Sequence, residues 1–413
     1  MGNKRDIELL REIAEQYAEY AADSLNAEKL LMHRGVNDLR QIRPIVLIDE
    51  IPWNEMNYDG SLTLQCEDQV FRKYEEEMRR QIFKWKNFRA DMVLQPYISV
   101  RKKIESTGIG VEIQGEVRMT DMDNTIVSHK FESQFETDED LSKLHNPIIT
   151  YNQDATVKEY EKISEAIGDL IPVKITGADT GYDLGCKSWD IIASCMNIDS
   201  LLYNLIDNPE YMHTLAEKLA DIFIDTIAQY EKLNLLNGDA LYVHSTAATA
   251  TKLQEGMNRQ HVTAQNVWGR GIAQIFSTVS PEMHEEFDIT YMKKAMAPFG
   301  LVYYGCCEPL DRKIDILRQI SNLRKISISP WADVNIAAEA IGKDYVLSAK
   351  PNPANLVYDE LNEKIIQNEI GQILRAAEKN GCSCEIVLKD ISTVKYNPQN
   401  LIRWEKVVMN MLS

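Results

Sequence analysis

Short apolar runs rich in Val, Ile and Leu recur along the chain and predict eight β-strands. These runs are Arg43–Asp49, Asp91–Tyr97, Ile171–Gly177, Asp239–Ser245, Leu301–Cys306, Lys325–Ser329, Tyr345–Ala349 and Glu385–Asp390. Most intervals between them space their apolar residues by three and four, which predicts amphipathic helices, and Gly381 is placed to end one of them. Strands alternating with helices in this number favour an α/β fold, a (β/α)8 TIM barrel, over an open doubly wound sheet.

The interval between the second and third predicted strands is too long for a single helix. It contains two strand-like runs, GVEIQGEVRM and NTIVSHKFESQF, so residues 107–146 are predicted to form a β-hairpin insertion. Residues 1–42 read as an N-terminal helical extension. Because no stretch resembles an interdomain linker, residues 1–413 are predicted to form one barrel domain.

Composition narrows the function. The formal charge of −18 and the absence of a Lys/Arg cluster argue against a nucleic-acid partner. No apolar run is long enough to span a membrane, and the charged start MGNKRDIELL is unlike a secretory signal. Seven cysteines, an odd number in a long chain, favour a reducing cytoplasm over a disulfide framework. Each thiol is then a packing residue, a metal ligand or a nucleophile.

The segment VYYGCCEPL places two cysteines at the end of the fifth predicted strand. In parallel barrels the chemistry lies at the carboxyl ends of the strands, so Tyr304, Cys306, Cys307 and Glu308 are candidate site residues. Thiolates and carboxylates are ordinary zinc ligands. Both cysteines can serve one site only if the strand breaks near Gly305. The alternative is that one of them packs in the core as a small apolar residue.

Two further strand ends carry candidate ligands. His244 closes the fourth predicted strand, and Asp390 closes the eighth. An imidazole beside a cysteine pair is suited to be a third zinc ligand or an acid–base group. The alternatives are a histidine hydrogen-bonded beneath a loop and an aspartate that caps the following helix.

Aromatic residues near several strand ends suggest a pocket for a small aromatic or methylated compound. Its predicted wall consists of Trp53, Tyr97, Tyr182, Trp268 and Arg270. A set of aromatics that caps the core would give the same pattern. Cys382 and Cys384 precede the eighth predicted strand, so they are expected at the opposite end of the barrel from the site.

The order of motifs in the second half of the chain resembles the uroporphyrinogen decarboxylase superfamily. That superfamily has an SP…F…Y…K block, a strand ending in a His/Cys/Gly cluster, a strand followed by aspartate, and a strand ending in an N-x-P turn. The matching residues here are Ser280, Pro281, Phe287, Tyr291, Lys293, Asp333, Asn352 and Pro353. The resemblance covers residues 171–413.

The resemblance implies a corrinoid-dependent methyltransferase more than a true decarboxylase, because the arginine-rich segment of the decarboxylases is missing. Methyltransferases of this superfamily commonly hold zinc by a His-x-Cys pair and a late cysteine. Here the first position is Tyr304, the second is Cys306, and the late region reads KDIS. We therefore expect zinc to be held by Cys306 or Cys307 with Glu308, His244 or Asp390.

In this prediction, zinc acts as a Lewis acid while the methyl group of an aryl methyl ether or methylamine moves to the cobalt of a separate corrinoid (cobalamin) protein. Tyr304 and His244 would be the acid–base groups. Two alternatives stay open: a metal-free decarboxylase of a carboxylated substrate, and a non-catalytic binding protein. The sequence leaves the oligomeric state open, a homodimer included.

Overall fold

The structure, a computed structural model, describes residues 4–112, 115–118, 128–131 and 133–412. Its strands are β1 Ile45–Ile48, β2 Ile98–Arg101, β3 Lys103–Ser106, β4 Gly115–Arg118, β5 Ser128–Phe131, β6 Ile149–Asn152, β7 Val173–Thr176, β8 Tyr242–Val243, β9 Thr246–Ala247, β10 Trp268–Gly271, β11 Leu301–Tyr304, β12 Leu323–Ile328, β13 Val346–Ala349 and β14 Ser383–Leu388.

The α-helices are α1 Lys4–Ala21, α2 Leu25–Asn37, α3 Gln69–Asn87, α4 Asp138–Leu141, α5 Gln153–Ile167, α6 Thr180–Asp183, α7 Ser188–Cys195, α8 Ile198–Asp207, α9 Pro209–Lys232, α10 Thr251–Gln254, α11 Pro281–His284, α12 Thr290–Met296, α13 Ile314–Leu317, α14 Val334–Ile341, α15 Glu363–Asn380 and α16 Gln399–Met411. Short 3-10 turns lie at Trp53–Glu55, Ala264–Asn266, Gln274–Thr278 and Pro353–Leu356, and a π-helical turn lies at Glu285–Ile289. No helix in the described ranges is both long enough and apolar enough to cross a membrane.

Six parallel strands form the central sheet, in the order β1-β14-β13-β12-β11-β10. This confirms the predicted mixed α/β architecture with a parallel sheet. A separate parallel pair, β2 with β7, supplies two more strands. The hydrogen-bonded ladders of the described residues place these eight parallel strands in two separate sheets. The closed eight-stranded barrel therefore stays a prediction.

Two predicted strand positions need correction, and one strand was missed. Residues 91–97 are irregular, and strand β2 begins at Ile98. The carboxylate of Asp91 explains this, because it accepts hydrogen bonds from the Val46 amide and the Arg43 guanidinium, which fixes the chain beside β1 without a ladder. The run 239–245 forms the short strand β8, paired antiparallel with β9. Strand β10 was not predicted, since WGRG contains two glycines and an arginine.

The two faces of the central sheet differ in chemistry. One face packs against the helices through apolar side chains such as Tyr304, Ile326 and Leu347. The other face is mixed. It carries buried apolar residues such as Val346 and Val387 together with buried polar ones, including an ion pair of 2.9 Å between Lys325 Nζ and Glu385 Oε2.

The segment 107–146 contains an antiparallel pair, β4 with β5, in the register Gly115 to Phe131. The connecting residues 119–127 of the predicted hairpin lie outside the described residues. Strands β3 and β6 pair antiparallel on either side of the segment. Within the predicted extension 1–42, helices α1 and α2 precede the first strand. Helix α15 ends at Gly381 in the left-handed conformation, as expected for a C-cap.

Candidate active site

The two adjacent thiols lie together because the fifth predicted strand ends before them. Strand β11 ends at Tyr304, and Gly305 follows with φ +102°, a conformation that favours glycine. A Cβ atom at Gly305 would also lie 2.6 Å from a methyl carbon of Leu310. The break leaves the Sγ atoms of Cys306 and Cys307 3.5 Å apart. Both thiols therefore reach one site.

Cys306 contacts an imidazole and an ammonium group. His244 Nε2 lies 3.2 Å from Cys306 Sγ, and Lys389 Nζ lies 3.2 Å from the same Nε2 and 3.9 Å from Sγ. Arg270 Nη2 lies 3.1 Å from Nε2. Because two cationic donors face Nε2, that nitrogen acts as an acceptor and the imidazole is neutral. Burial and then the charges of Arg270 and Lys389 lower the pKa of His244.

Charge around the thiol favours its ionised form. A hydrogen bond from Cys307 lowers the pKa of Cys306, burial opposes this, and the charge of Lys389 lowers the pKa further. Burial would lower the pKa of Lys389, but the nearby Cys306 and Asp390 outweigh it and raise that pKa. These interactions favour ionisation of the Cys306 thiol, which lies beside the protonated amine of Lys389.

Two carboxylates complete the environment of Lys389. Its Nζ lies 3.2 Å from Glu50 Oε2 and 3.3 Å from Asp390 Oδ2. Burial and the hydrogen bond to Asp390 raise the pKa of Glu50 to about 7. Burial works against ionisation of Asp390, but its hydrogen bond with Glu50 and the charge of Lys389 lower its pKa overall. Glu50 is thus the group of the pair that gains a proton first.

The backbone around this cluster is strained. Positive φ angles occur at Glu50 (49°), His244 (44°), Ser245 (66°) and Asp390 (56°). Each left-handed non-glycine residue of this kind costs of order 1–3 kcal/mol, and such residues concentrate at functional sites. Four of them around one thiol and one ammonium group support the assignment of this cluster as the functional site.

A cavity of about 330 Å³ opens beside the cluster at the carboxyl edge of the sheet. Its lining residues are Cys306, Cys307, Pro330, Trp331, Lys350, Pro351, Asn352, Pro353, Ala354, Val357, Lys389, Asp390, Ser392 and Thr393. Lys350 Nζ donates to Ser327 Oγ (2.6 Å) and Tyr303 Oη (2.9 Å), and burial together with Lys389 lowers its pKa to about 8. An apolar wall with a few convergent polar groups is typical of small-molecule sites.

Two predicted site residues point away from the cavity. The Tyr304 hydroxyl is fully buried on the helix-facing side of the sheet, where it lies 2.6 Å from His284 Nε2 and donates to Asp288 Oδ2 at 2.6 Å. Glu308 folds back so that its Oε2 accepts the Cys306 amide at 3.0 Å. In this arrangement neither side chain contacts the thiol groups or lines the cavity.

The predicted aromatic wall is divided among different places. Tyr97 and Trp268 line a separate cavity of about 550 Å³, and Trp53 lines a third one of about 510 Å³. The Tyr182 hydroxyl donates to Asp49 Oδ2 at 2.7 Å. Of the five predicted wall residues, two contact the cluster: Arg270 through His244, and Tyr182, whose hydroxyl oxygen accepts the Ser245 amide at 2.8 Å.

Sequence reasoning missed the lysines. Lys350 and Lys389 directly follow β13 and β14, and each is at most 5% exposed. Their signal in the sequence is a lysine that ends an apolar run, as in YVLSAK and EIVLK. A lysine is almost never fully buried unless it is paired, so such a position indicates a specific partner.

The predicted zinc does not fit this arrangement. Among the residues that the structure describes, no three His, Cys, Asp or Glu side chains are grouped so that they could hold a metal ion. The position between His244, Cys306 and Asp390 is taken by the Lys389 ammonium group. A dication there would also lie beside the Arg270 guanidinium, at a large electrostatic cost.

Comparisons with known proteins show that the fold of this chain is similar to that of a solved structure. No protein-family model matches the chain, and no curated protein matches it by sequence. A solved structure, a methyltransferase from Methanosarcina mazei, is similar over 92% of this chain and 98% of its own, with a TM-score of 0.50 and 12% sequence identity. At this identity the likeness concerns the fold.

Proposed function

We propose that the protein is a methyltransferase that moves a methyl group from a small methylated compound, of the aryl methyl ether or methylamine type, to a corrinoid protein. The observation that carries this proposal is the cavity of about 330 Å³ in which a thiol and an ammonium group meet an apolar wall. The uroporphyrinogen decarboxylase-like arrangement of motifs and the fold of the Methanosarcina mazei methyltransferase support it.

In the proposed reaction, the bond between the methyl carbon and its heteroatom breaks and the electron pair stays on the heteroatom. The corrinoid of the partner protein would supply the methyl-accepting cobalt. With an aryl methyl ether, Lys389 would donate a hydrogen bond to the oxygen as negative charge develops there, and the phenolate takes up a proton from solvent. A methylamine would react in its protonated form and leave as the neutral amine. The apolar wall, including Pro330, Trp331 and Val357, would hold the methyl-bearing part of the substrate.

The mouth of the cavity offers a surface for a protein partner. Three aromatic side chains on the loops after β12, β13 and β14 are exposed: Trp331 (72%), Tyr358 (47%) and Tyr396 (63%). Of the three, Trp331 lines the cavity, and exposed aromatic residues are typical of protein-binding surfaces. We propose that the corrinoid protein docks here, so that its cobalt faces the cavity.

Methyl transfer is tested with free reduced cobalamin as the acceptor and a panel of aryl methyl ethers and methylamines as donors. Cobalt methylation is followed by absorbance. We expect Cys306→Ala and Lys389→Met to abolish transfer. Cys382→Ala, which removes a thiol from the opposite end of the sheet, should retain it. Equal activity in all three variants would refute the assignment of the site.

A second candidate function rests on the lysines themselves. The amines of Lys350 and Lys389 border an apolar cavity, an arrangement that would attract a carboxylate. The alternative function is therefore a metal-free decarboxylase. It predicts CO₂ release from a small carboxylic acid, insensitivity to chelators, and no methylated cobalt with any donor. A non-catalytic binding protein would show neither product.

A further inference from the structure

The Lys389 ammonium group lies where several potential metal ligands converge. Its Nζ is within 3.3 Å of His244 Nε2, Glu50 Oε2 and Asp390 Oδ2, and it is 3.9 Å from Cys306 Sγ. One nitrogen, one sulfur and two oxygen atoms therefore surround a single cation. These are the atom types that bind zinc and related divalent ions.

The spacing of these atoms matches an ammonium ion and not a metal ion. Zinc binds nitrogen and oxygen at about 2.0–2.2 Å and sulfur at about 2.3 Å, so each ligand atom would have to move inward by about 1 Å or more. The pair His244 Nε2 and Cys306 Sγ is already 3.2 Å apart. In a tetrahedral zinc site the separation would be about 3.5 Å. This one separation is therefore close to the value that a zinc site requires.

Other roles for Lys389 leave some of its contacts unexplained. A lysine that only balances one carboxylate would not need contacts with an imidazole and a thiol. The side chain is 2% exposed, so solvent contributes little to its stabilisation. Glu50, His244 and Asp390, which surround the ammonium group, all have left-handed backbone conformations.

We propose that Lys389 is the resident cation of this site: its ammonium group takes the place of a divalent metal among His244, Cys306, Glu50 and Asp390. The native chain therefore excludes zinc, and removal of the lysine amine converts the same residues into a metal site. The proposal deepens the proposed function and rests on it only for the catalytic consequence. Metal binding is measured without substrate, so the two proposals can fail separately.

The test compares the metal content of tag-free native protein, Lys389→Ala and Lys389→Arg after growth with added zinc under reducing conditions. We expect about one zinc per Lys389→Ala chain, and almost none in the other two proteins. A titration with Co²⁺ should give thiolate-to-cobalt charge-transfer absorption only in Lys389→Ala. The double variant Lys389→Ala, His244→Ala is the matched control, and it should lose the bound metal.

Two outcomes would overturn the proposal. One is stoichiometric zinc in the native protein that His244→Ala removes, since the metal would then displace the lysine. The other is a Lys389→Ala protein that folds, as judged by circular dichroism, and binds neither ion. If that variant does not fold, the Co²⁺ titration of the native protein decides: a charge-transfer band refutes the proposal, and its absence supports it.

Discussion

Replacing Lys389 by Met should raise the pKa of the Cys306 thiol. The Lys389 Nζ to Cys306 Sγ distance is 3.9 Å, and with an effective dielectric constant of about 20 the attraction between the two charges is about 4 kcal/mol. Since one pKa unit is about 1.4 kcal/mol, the full effect is about three units. Relaxation and entering water reduce it, so we expect a rise of about one to three units.

The assay is the pH dependence of alkylation by iodoacetamide, read by mass spectrometry of the peptide that contains Cys306. Both proteins carry Cys307→Ala, so that a single thiol of the pair reacts. A chelator keeps metal ions from replacing the lost amine. The rate should rise with pH to a plateau, and its midpoint reports the thiol pKa.

The matched control is Lys395→Met, which removes an amine six residues further along the chain. That side chain is 57% exposed, and its ion pair is with an exposed aspartate, Asp359, at 3.5 Å. Its midpoint should stay at the value of the parent protein. A folded Lys389→Met protein whose midpoint moves by less than about half a unit would refute the electrostatic role of the lysine.

Three further predictions concern stability and pH. Lys325→Met should lower the free energy of unfolding by about 3–5 kcal/mol, because it leaves the Glu385 carboxylate buried without its partner. Adding Glu385→Leu should restore most of the loss, and urea unfolding measures both variants. Gly305→Ala should cost about 1–3 kcal/mol through its positive φ and its clash, whereas Gly60→Ala, at φ +77° with open space around it, should cost less in thermal melts. Methyl transfer should be faster below about pH 7, where Glu50 is neutral and leaves the charge of Lys389 less compensated, and Glu50→Gln should remove this inflection from the pH–rate profile.

The central strands were predictable because their signal is local. The runs at β11, β13 and β14 are mostly apolar, and the structure buries every residue in them, Ser348 and Glu385 included. Strand β10 lacks that signal and is held by its neighbour β11. The strand predicted at Asp91–Tyr97 failed because the carboxylate of Asp91 replaces ladder hydrogen bonds, which no local pattern reveals.

The site was predictable where a strand end and a reactive residue coincide. Cys306, Cys307, His244 and Asp390 were all placed at strand ends, and contacts of 3.2–3.5 Å now join them. The choice of Tyr304 rested on its place at the strand end and on the resemblance, in which it takes the first position of the His-x-Cys pair. Residues two apart on a continuing strand share a face, but the turn at Gly305 ends that alternation, so Tyr304 faces the helices while Cys306 faces the cavity.

The buried lysines explain why this part of the candidate site was hidden from sequence reasoning, since lysines are mostly exposed in folded proteins. Lys325 lies on β12, while Lys350 and Lys389 follow β13 and β14, so three adjacent strands each bring one amine to the mixed face of the sheet. The chain as a whole carries a formal charge of −18, and the carboxylates of Glu385, Glu50 and Asp390 pair with two of these amines. Burial lowers the pKa of Lys350 to about 8, whereas the neighbouring thiol and carboxylate keep Lys389 charged. In the proposed reaction, such an arrangement would stabilise the negative charge that develops where the substrate bond breaks.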